Sequence, residues 1–153
     1  MIQRIAQALL TALLLTGCTG MTEKNIDPAR ITQLASCPSS PNCVSSADVG
    51  DSHYIEPVAI DGDPDDAWQT LRDILVADGS ITITASGDHY IRAEATTRLL
   101  RFTDDLEFLL KREAGLIDMR SASRLGYWDL GKNRKRLESI RSKMQDAGVA
   151  GDS

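Results

Sequence analysis

The residues of this 153-residue chain that could do chemistry are concentrated in its last third. Between positions 120 and 143 stand eight cations, Arg120, Arg124, Lys132, Arg134, Lys135, Arg136, Arg141 and Lys143, against Asp129 and Glu138 alone. Guanidinium groups offer planar, forked donors that suit phosphate and carboxylate, so the segment could receive an anion or a lipid headgroup. The charges could equally be taken up internally. Residues 48–78 carry nine acids and one Arg, and a basic helix lying near them would be neutralised, with solvent screening the rest. Two readings therefore stay open. In one, Arg101, Arg120, Arg124, Asn133 and Arg134 form an anion site beside the start of a helix. In the other, Asp104, Asp105, Glu107 and Asp129 close on the arginines as a structural clasp.

Catalytic constellations are sparse. Ser121 and Ser123 sit between arginines that could stabilise an oxyanion, which keeps a hydrolase-type Ser/Arg site as an alternative. The chain has no GxSxG, HExxH, phosphate-loop GxxxxGK[ST] or dinucleotide GxGxxG. Its two histidines, His53 and His89, are far from both serines in sequence. His89 beside a Gly87-Asp88 turn reads as a solvated edge residue. A zinc site would have to recruit both histidines to cysteines that are not in a CxxC pair, so no metal or cofactor is expected. A net charge of -5 and a pI near 5.0 argue against nucleic acid as a partner.

The N-terminus carries an address. Arg4 precedes an apolar run from Ile5 to Leu15, about half the length that a spanning helix needs. The run ends in Leu15-Thr16-Gly17-Cys18, which resembles the lipobox of bacterial lipoproteins. That resemblance implies a signal peptide over 1–17 and a diacylglyceryl group on Cys18. Thr19, where an Asp often marks inner-membrane retention, implies an outer-membrane location facing the periplasm. Acyl chains at one terminus would tether the protein and not span it. Losing Arg4 with the leader leaves 16 basic residues against 22 acidic, a charge of -6. Residues 18–35 read as a lipidated tether, 36–146 as a single domain and 147–153 as a disordered tail. With Cys18 acylated, Cys37 and Cys43 remain as a pair in an oxidising compartment. Two prolines and Asn42 bend the segment between them, and a disulfide is predicted, stabilising by roughly 2 kcal/mol in the chain-entropy model.

The elements that must position these residues follow from periodicity. His53 to Ile60 has β-branched and aromatic character and reads as an edge strand interrupted at Pro57. Asp63-Pro64 is an N-cap followed by a first-turn proline, and Trp68, Leu71 and Leu75 give the ensuing helix an apolar stripe that ends at Gly79. The period then changes to two. Ile81, Ile83 and Ala85, then Ile91, Ala93 and Ala95, predict a hairpin turning at Gly87-Asp88. In the next pair, a join through Glu113-Ala114 sets 110 opposite 117, 108 opposite 119 and 106 opposite 121 on the inner face. Glu107 then faces Arg120 on the outer side, Leu109 faces Asp118, and both serines point inward. A last helix begins at Asp129 or Asn133 and runs to about Asp146, with Leu130, Leu137, Ile140 and Met144 along its inner side. The fold class is α+β: a mainly antiparallel sheet of four or five strands with two helices packed on one face, in the order β-α-β-β-β-β-α.

Several ordered stretches resemble one family. They are Cys37-Pro-Ser-Ser-Pro-Asn-Cys43-Val-Ser-Ser46, Ala93-Glu94, Arg101-Phe102-Thr-Asp-Asp105-Leu-Glu107-Phe108, Arg120-Ser-Ala-Ser-Arg124-Leu-Gly126, and Asp129-Leu-Gly131-Lys-Asn-Arg134-Lys-Arg136-Leu-Glu138. Together they resemble the bacterial and chloroplast family catalogued as domain of unknown function fourteen ninety-nine, over roughly residues 36 to 146. The resemblance implies no established reaction. The functional expectation is a membrane-anchored envelope lipoprotein with a non-catalytic binding or interaction module. Its expected partners are the membrane, through its lipid, and an envelope protein, anionic lipid or small molecule. The architecture is also similar to helix-grip and ferredoxin-like sandwiches, which keeps open a carrier of a small apolar ligand between helices and sheet.

Overall fold

The computed structural model describes residues 26–97 and 101–151. The expected signal peptide and Cys18 lie outside the described residues. Eight main elements follow in chain order: β1 (Cys43–Ser45), β2 (Val58–Ala59), α1 (Pro64–Ala77), β3 (Ile81–Ser86), β4 (Tyr90–Thr96), β5 (Thr103–Lys111), β6 (Leu116–Ser123) and α2 (Lys132–Asp146). The sheet is antiparallel throughout, in the order β1-β6-β5-β4-β3, and β2 shares the outer edge of β6 with β1. Among the described residues no helix is long and apolar enough to cross a membrane.

The long strands take their register from alternation. Leu110 faces Ile117, Phe108 faces Met119, Leu106 faces Ser121 and Glu107 faces Arg120, as the apolar pattern predicts. Gly115, at φ +64°, closes the connection in the left-handed region that glycine adopts without strain. The helices cover one face. Asp63 caps α1 by accepting from the amides of Asp65 and Asp66. Trp68, Leu71 and Leu75 from α1 and Leu137, Ile140 and Met144 from α2 meet Ile91, Ala93, Leu106, Phe108, Ile117 and Met119 of the sheet in one core.

Five expectations change. The strand expected over 53–60 contracts to Val58–Ala59 because Pro57 has no amide to donate and the buried Arg141 guanidinium takes the carbonyls of Glu56 and Pro57, at 2.5 and 2.8 Å. The edge is completed instead by Cys43–Ser45, which pairs with Ala122 to Arg120. The tether shortens: from Ile26 onward the arm lies on the helix-free face, where Ile26, Ile31 and Leu34 pack on Tyr90 and Leu109. His89 is half-buried under it, its Nε2 2.9 Å from the Ile31 carbonyl. The tail, expected to fray from 147, is docked as far as 151. Ala150 is buried, pairs with Ile60 in an antiparallel bridge, and Gly151 donates to the Ala59 carbonyl at 2.9 Å. Finally, Leu130 does not join the apolar stripe of α2. It precedes the helix with φ +57° and is 77% exposed.

Candidate functional site

The helix-free face of β4–β6 is a ladder of alternating charge. Inward placement of Ile91, Ala93 and Ala95 turns Arg92 and Glu94 outward, and the β4–β5 register sets Arg92 opposite Glu107 and Glu94 opposite Asp105. Two carboxylates facing each other across strands repel. Arg124 resolves the conflict from the end of β6. Its Nη2 donates to Glu94 Oε1 at 2.5 Å and to Asp105 Oδ1 at 2.7 Å, while Nε reaches Asp105 Oδ2 at 2.9 Å. Arg92 adds a bond to Asp105 at 3.2 Å. Glu107 receives Arg120 Nη1 at 3.0 Å and the Tyr90 hydroxyl at 2.7 Å.

Electrostatics follow from these partners. Burial alone would raise the Asp105 carboxyl, but the bonds from Arg124 and Arg92 outweigh it and hold the group below its ordinary 3.8. Burial, reinforced by the Glu107 charge, pushes the Tyr90 phenol far above its ordinary 10.0, so it stays a neutral donor. Asp105 and Glu94 in turn keep Arg124 charged.

Above this ladder lies a cleft of about 790 Å³. Its floor is Arg92, Asp105, Glu107, Arg120 and Arg124; one wall is the N-terminal arm at Ile26 and Ala35, and the other is the disulfide loop at Pro38, Ser40 and Asn42. The Cys37–Cys43 disulfide is present, and Asn42 Nδ2 ties its loop to the Gly126 carbonyl at 2.5 Å. Arg120 Nε is buried in this region with no hydrogen-bond partner among the described residues.

The expected anion set is thus divided among four places. Only Arg120 and Arg124 share the cleft. Asn133 is fully buried on the opposite side of the sheet, where its Oδ1 accepts from the Ser121 hydroxyl and from Arg136 Nη1, and its Nδ2 donates to the Asn42 carbonyl and Ser123 Oγ, both at 2.9 Å. About 100° of helix rotation separates it from Arg134, which reaches out to the Ser52 carbonyl at 3.1 Å. Arg101 is exposed at the β4–β5 connection, with φ +51°.

The clasp set also divides. Asp105 and Glu107 serve the outer ladder. Asp104 faces inward and pairs with Arg136 at 2.7 Å. Asp129 caps α2 by accepting from the amides of Gly131 and Asn133, each at 2.9 Å. Arg92, Glu94 and Arg136 complete these networks. The signal for Arg92 and Glu94 was their alternation with inward Ile91 and Ala93, whereas Arg136 needed the helix phase.

Ser121 bonds to Asn133 and not to a histidine. His53 Nδ1 lies 2.6 Å from Asp51 Oδ1 and its Nε2 3.2 Å from the Ser40 carbonyl, while His89 contacts Ile31. Hydrogen bonds from the His53 amide and ring hold Asp51 below its ordinary 3.8. Among the described residues, no three His, Cys, Asp or Glu side chains are grouped to hold a metal ion. The cleft presents charged hydrogen-bonding groups, Arg92, Arg120 and Arg124 beside Asp105 and Glu107.

No curated protein and no solved structure matches the chain. A family model does match, over residues 33–144, most of the chain and all of β1–β6, α1 and α2 but the last two residues of α2. The ordered motifs, the antiparallel sheet with two helices and this match together place the chain in the family described as protein of unknown function (DUF1499).

Proposed function

We propose that the chain is an envelope lipoprotein, anchored through Cys18, whose domain is a non-catalytic binding module that receives a small anionic group in the cleft of the helix-free face. The observation that carries this reading is the cleft floor, where Arg92, Arg120 and Arg124 lie together and Arg120, held by Glu107 through Nη1, keeps a buried Nε with no hydrogen-bond partner among the described residues. A buried donor without a partner costs about 1–3 kcal/mol, so Arg120 gains by a side-chain movement that brings Nε to an anion in the cleft. Arg124 has a second role. Its bonds to both Glu94 and Asp105 favour a structural clasp at the end of the ladder, so holding and receiving fall to different arginines.

The test is titration of the purified chain with glycerol 3-phosphate, followed by calorimetry and by amide chemical shifts. Saturable binding is expected, with shifts at Arg92, Arg120 and Asn42. Arg120→Gln should weaken it at least tenfold, and Arg134→Gln, outside the cleft, should leave it unchanged. Absence of saturation, or equal weakening by both variants, refutes the reading.

A further inference from the structure

Residues 125–130 leave β6 and enter α2 with four large apolar side chains turned to solvent. Leu125 is 69% exposed, Tyr127 64%, Trp128 70% and Leu130 77%. Scattered exposed apolar residues need no explanation, but four among six consecutive positions form a patch, extended by Phe102 on the neighbouring connection. Arg124 joins the two connections through its amide bond to the Thr103 carbonyl at 3.2 Å. Leu130 adds a second oddity, since a leucine at φ +57° strains its backbone by about 1–2 kcal/mol where glycine or asparagine would not. With 77% of it exposed, its side chain recovers little by packing within the domain. Both features make sense if the loop meets something outside the chain.

Three observations identify that surface as a lipid bilayer. First, the patch pairs a Tyr and a Trp, ring centroids 6.4 Å apart, with leucines on either side. Tyr and Trp are the side chains that favour the headgroup boundary, with an apolar body and a polar tip. Second, exposed cations flank it, Lys132 and Lys135 after the loop and Arg101 beside Phe102, which complements anionic headgroups. Third, Ile26, the first described residue, lines the cleft that Gly126 also lines, so the chain enters the domain across that cleft from the loop, on the same helix-free face. Seven residues lie between Cys18 and Ile26, eight steps of chain with a reach of at most roughly 28 Å. An acyl anchor at Cys18 would hold this end of the domain to the bilayer.

We propose that residues 125–130 are a membrane-contact loop that lays Tyr127, Trp128 and Leu130 into the headgroup boundary of an anionic bilayer. The third argument rests on the lipid anchor proposed above; the first two do not. In this arrangement the cleft mouth faces the headgroup layer, because Gly126 belongs to both loop and cleft.

The test uses the chain made with its leader in a bacterium that processes lipoproteins, reconstituted into vesicles of phosphatidylcholine and phosphatidylglycerol. Trp128 should lose at least half its emission when the acyl chains are brominated near the headgroup. Trp128→Phe should abolish that loss, because the remaining described tryptophan, Trp68, is buried in the core. Leu130→Asn should reduce the quenching at least twofold while melting at the same temperature or higher. The inference is overturned if brominated lipid does not quench, or if aqueous iodide reaches Trp128 as freely in vesicles as in detergent. An emission shift that follows protein concentration at fixed lipid would assign the loop to a second copy and overturn it too. Mass spectrometry of the same sample reads the anchor separately. An acylated chain without quenching sinks the loop and spares the anchor, and quenching of an unacylated chain does the reverse.

Discussion

Replacing Arg124 by Gln removes three charged hydrogen bonds and leaves Glu94 facing Asp105 with only the longer Arg92 contact to Asp105 in place. Hydrogen bonds to charged groups contribute about 1.5–3 kcal/mol in favourable settings, but Arg124 is 37% exposed, which places its share at the low end, about 1.5 kcal/mol. The cross-strand repulsion that Arg92 does not offset adds roughly 0.5 kcal/mol. A loss of about 2 kcal/mol in a domain of this size lowers Tm by roughly 7 °C. Scanning calorimetry at pH 7 measures it directly. The pH dependence supplies an internal check. Asp105 is held below its ordinary value of 3.8, so its stabilisation is present above that value and is lost as pH falls through the depressed folded value. The gap between wild type and Arg124→Gln should therefore be full at pH 7 and close below about pH 3.8. Adding Glu94→Gln to Arg124→Gln should recover the repulsive part. A Tm within 1 °C of wild type at pH 7, or a gap that does not change with acid, refutes the clasp.

Two further perturbations probe other parts of the fold. Asn133→Ala strands the Ser121 hydroxyl, Arg136 and the Asn42 carbonyl in a buried network and should cost about 3 kcal/mol, read as a lower urea midpoint with an unchanged slope; a cost below 1 kcal/mol would show that the network is not holding helix to sheet. Leu34→Ala should cost about 2 kcal/mol and speed amide exchange from Ile31 to Ala35 and at His89 while leaving Phe108 protected, since the arm's apolar cluster is separate from the main core. Uniform loss of protection would contradict that separation.

Strand pairing was legible wherever two long strands alternate and sit near each other in sequence. Leu106, Phe108 and Leu110 against Ile117, Met119 and Ser121 admit one register, and that register placed Glu107 beside Arg120. Cys43–Ser45 offered no such pattern. It is buried at all three positions, lies in a proline-bent loop, and finds its partner nearly eighty residues later. His53 to Ile60 misled in the opposite sense: its side chains favour a strand, but Pro57 and the distant Arg141 claim its backbone. The site was half legible for the same reason. Alternation fixed which charges share the outer face, whereas Asn133 and Arg134, adjacent in sequence, were separated by helix rotation into a buried hub and a surface contact. Ile26, Ile31 and Leu34 have no periodic companions, so nothing in their spacing announced that the arm docks.

The docked arm decides how the molecule answers force. A pull applied upstream of Ile26 meets first an apolar cluster and a handful of polar contacts, among them His89 to Ile31 and Ser45 to the Ala35 carbonyl. Those would peel in sequence, like tape lifted from one end. Peeling stops at Cys37, where the load passes through a covalent bond into Cys43 and the edge of the sheet. Tension short of unfolding would therefore strip one wall from the cleft and leave its charged floor standing.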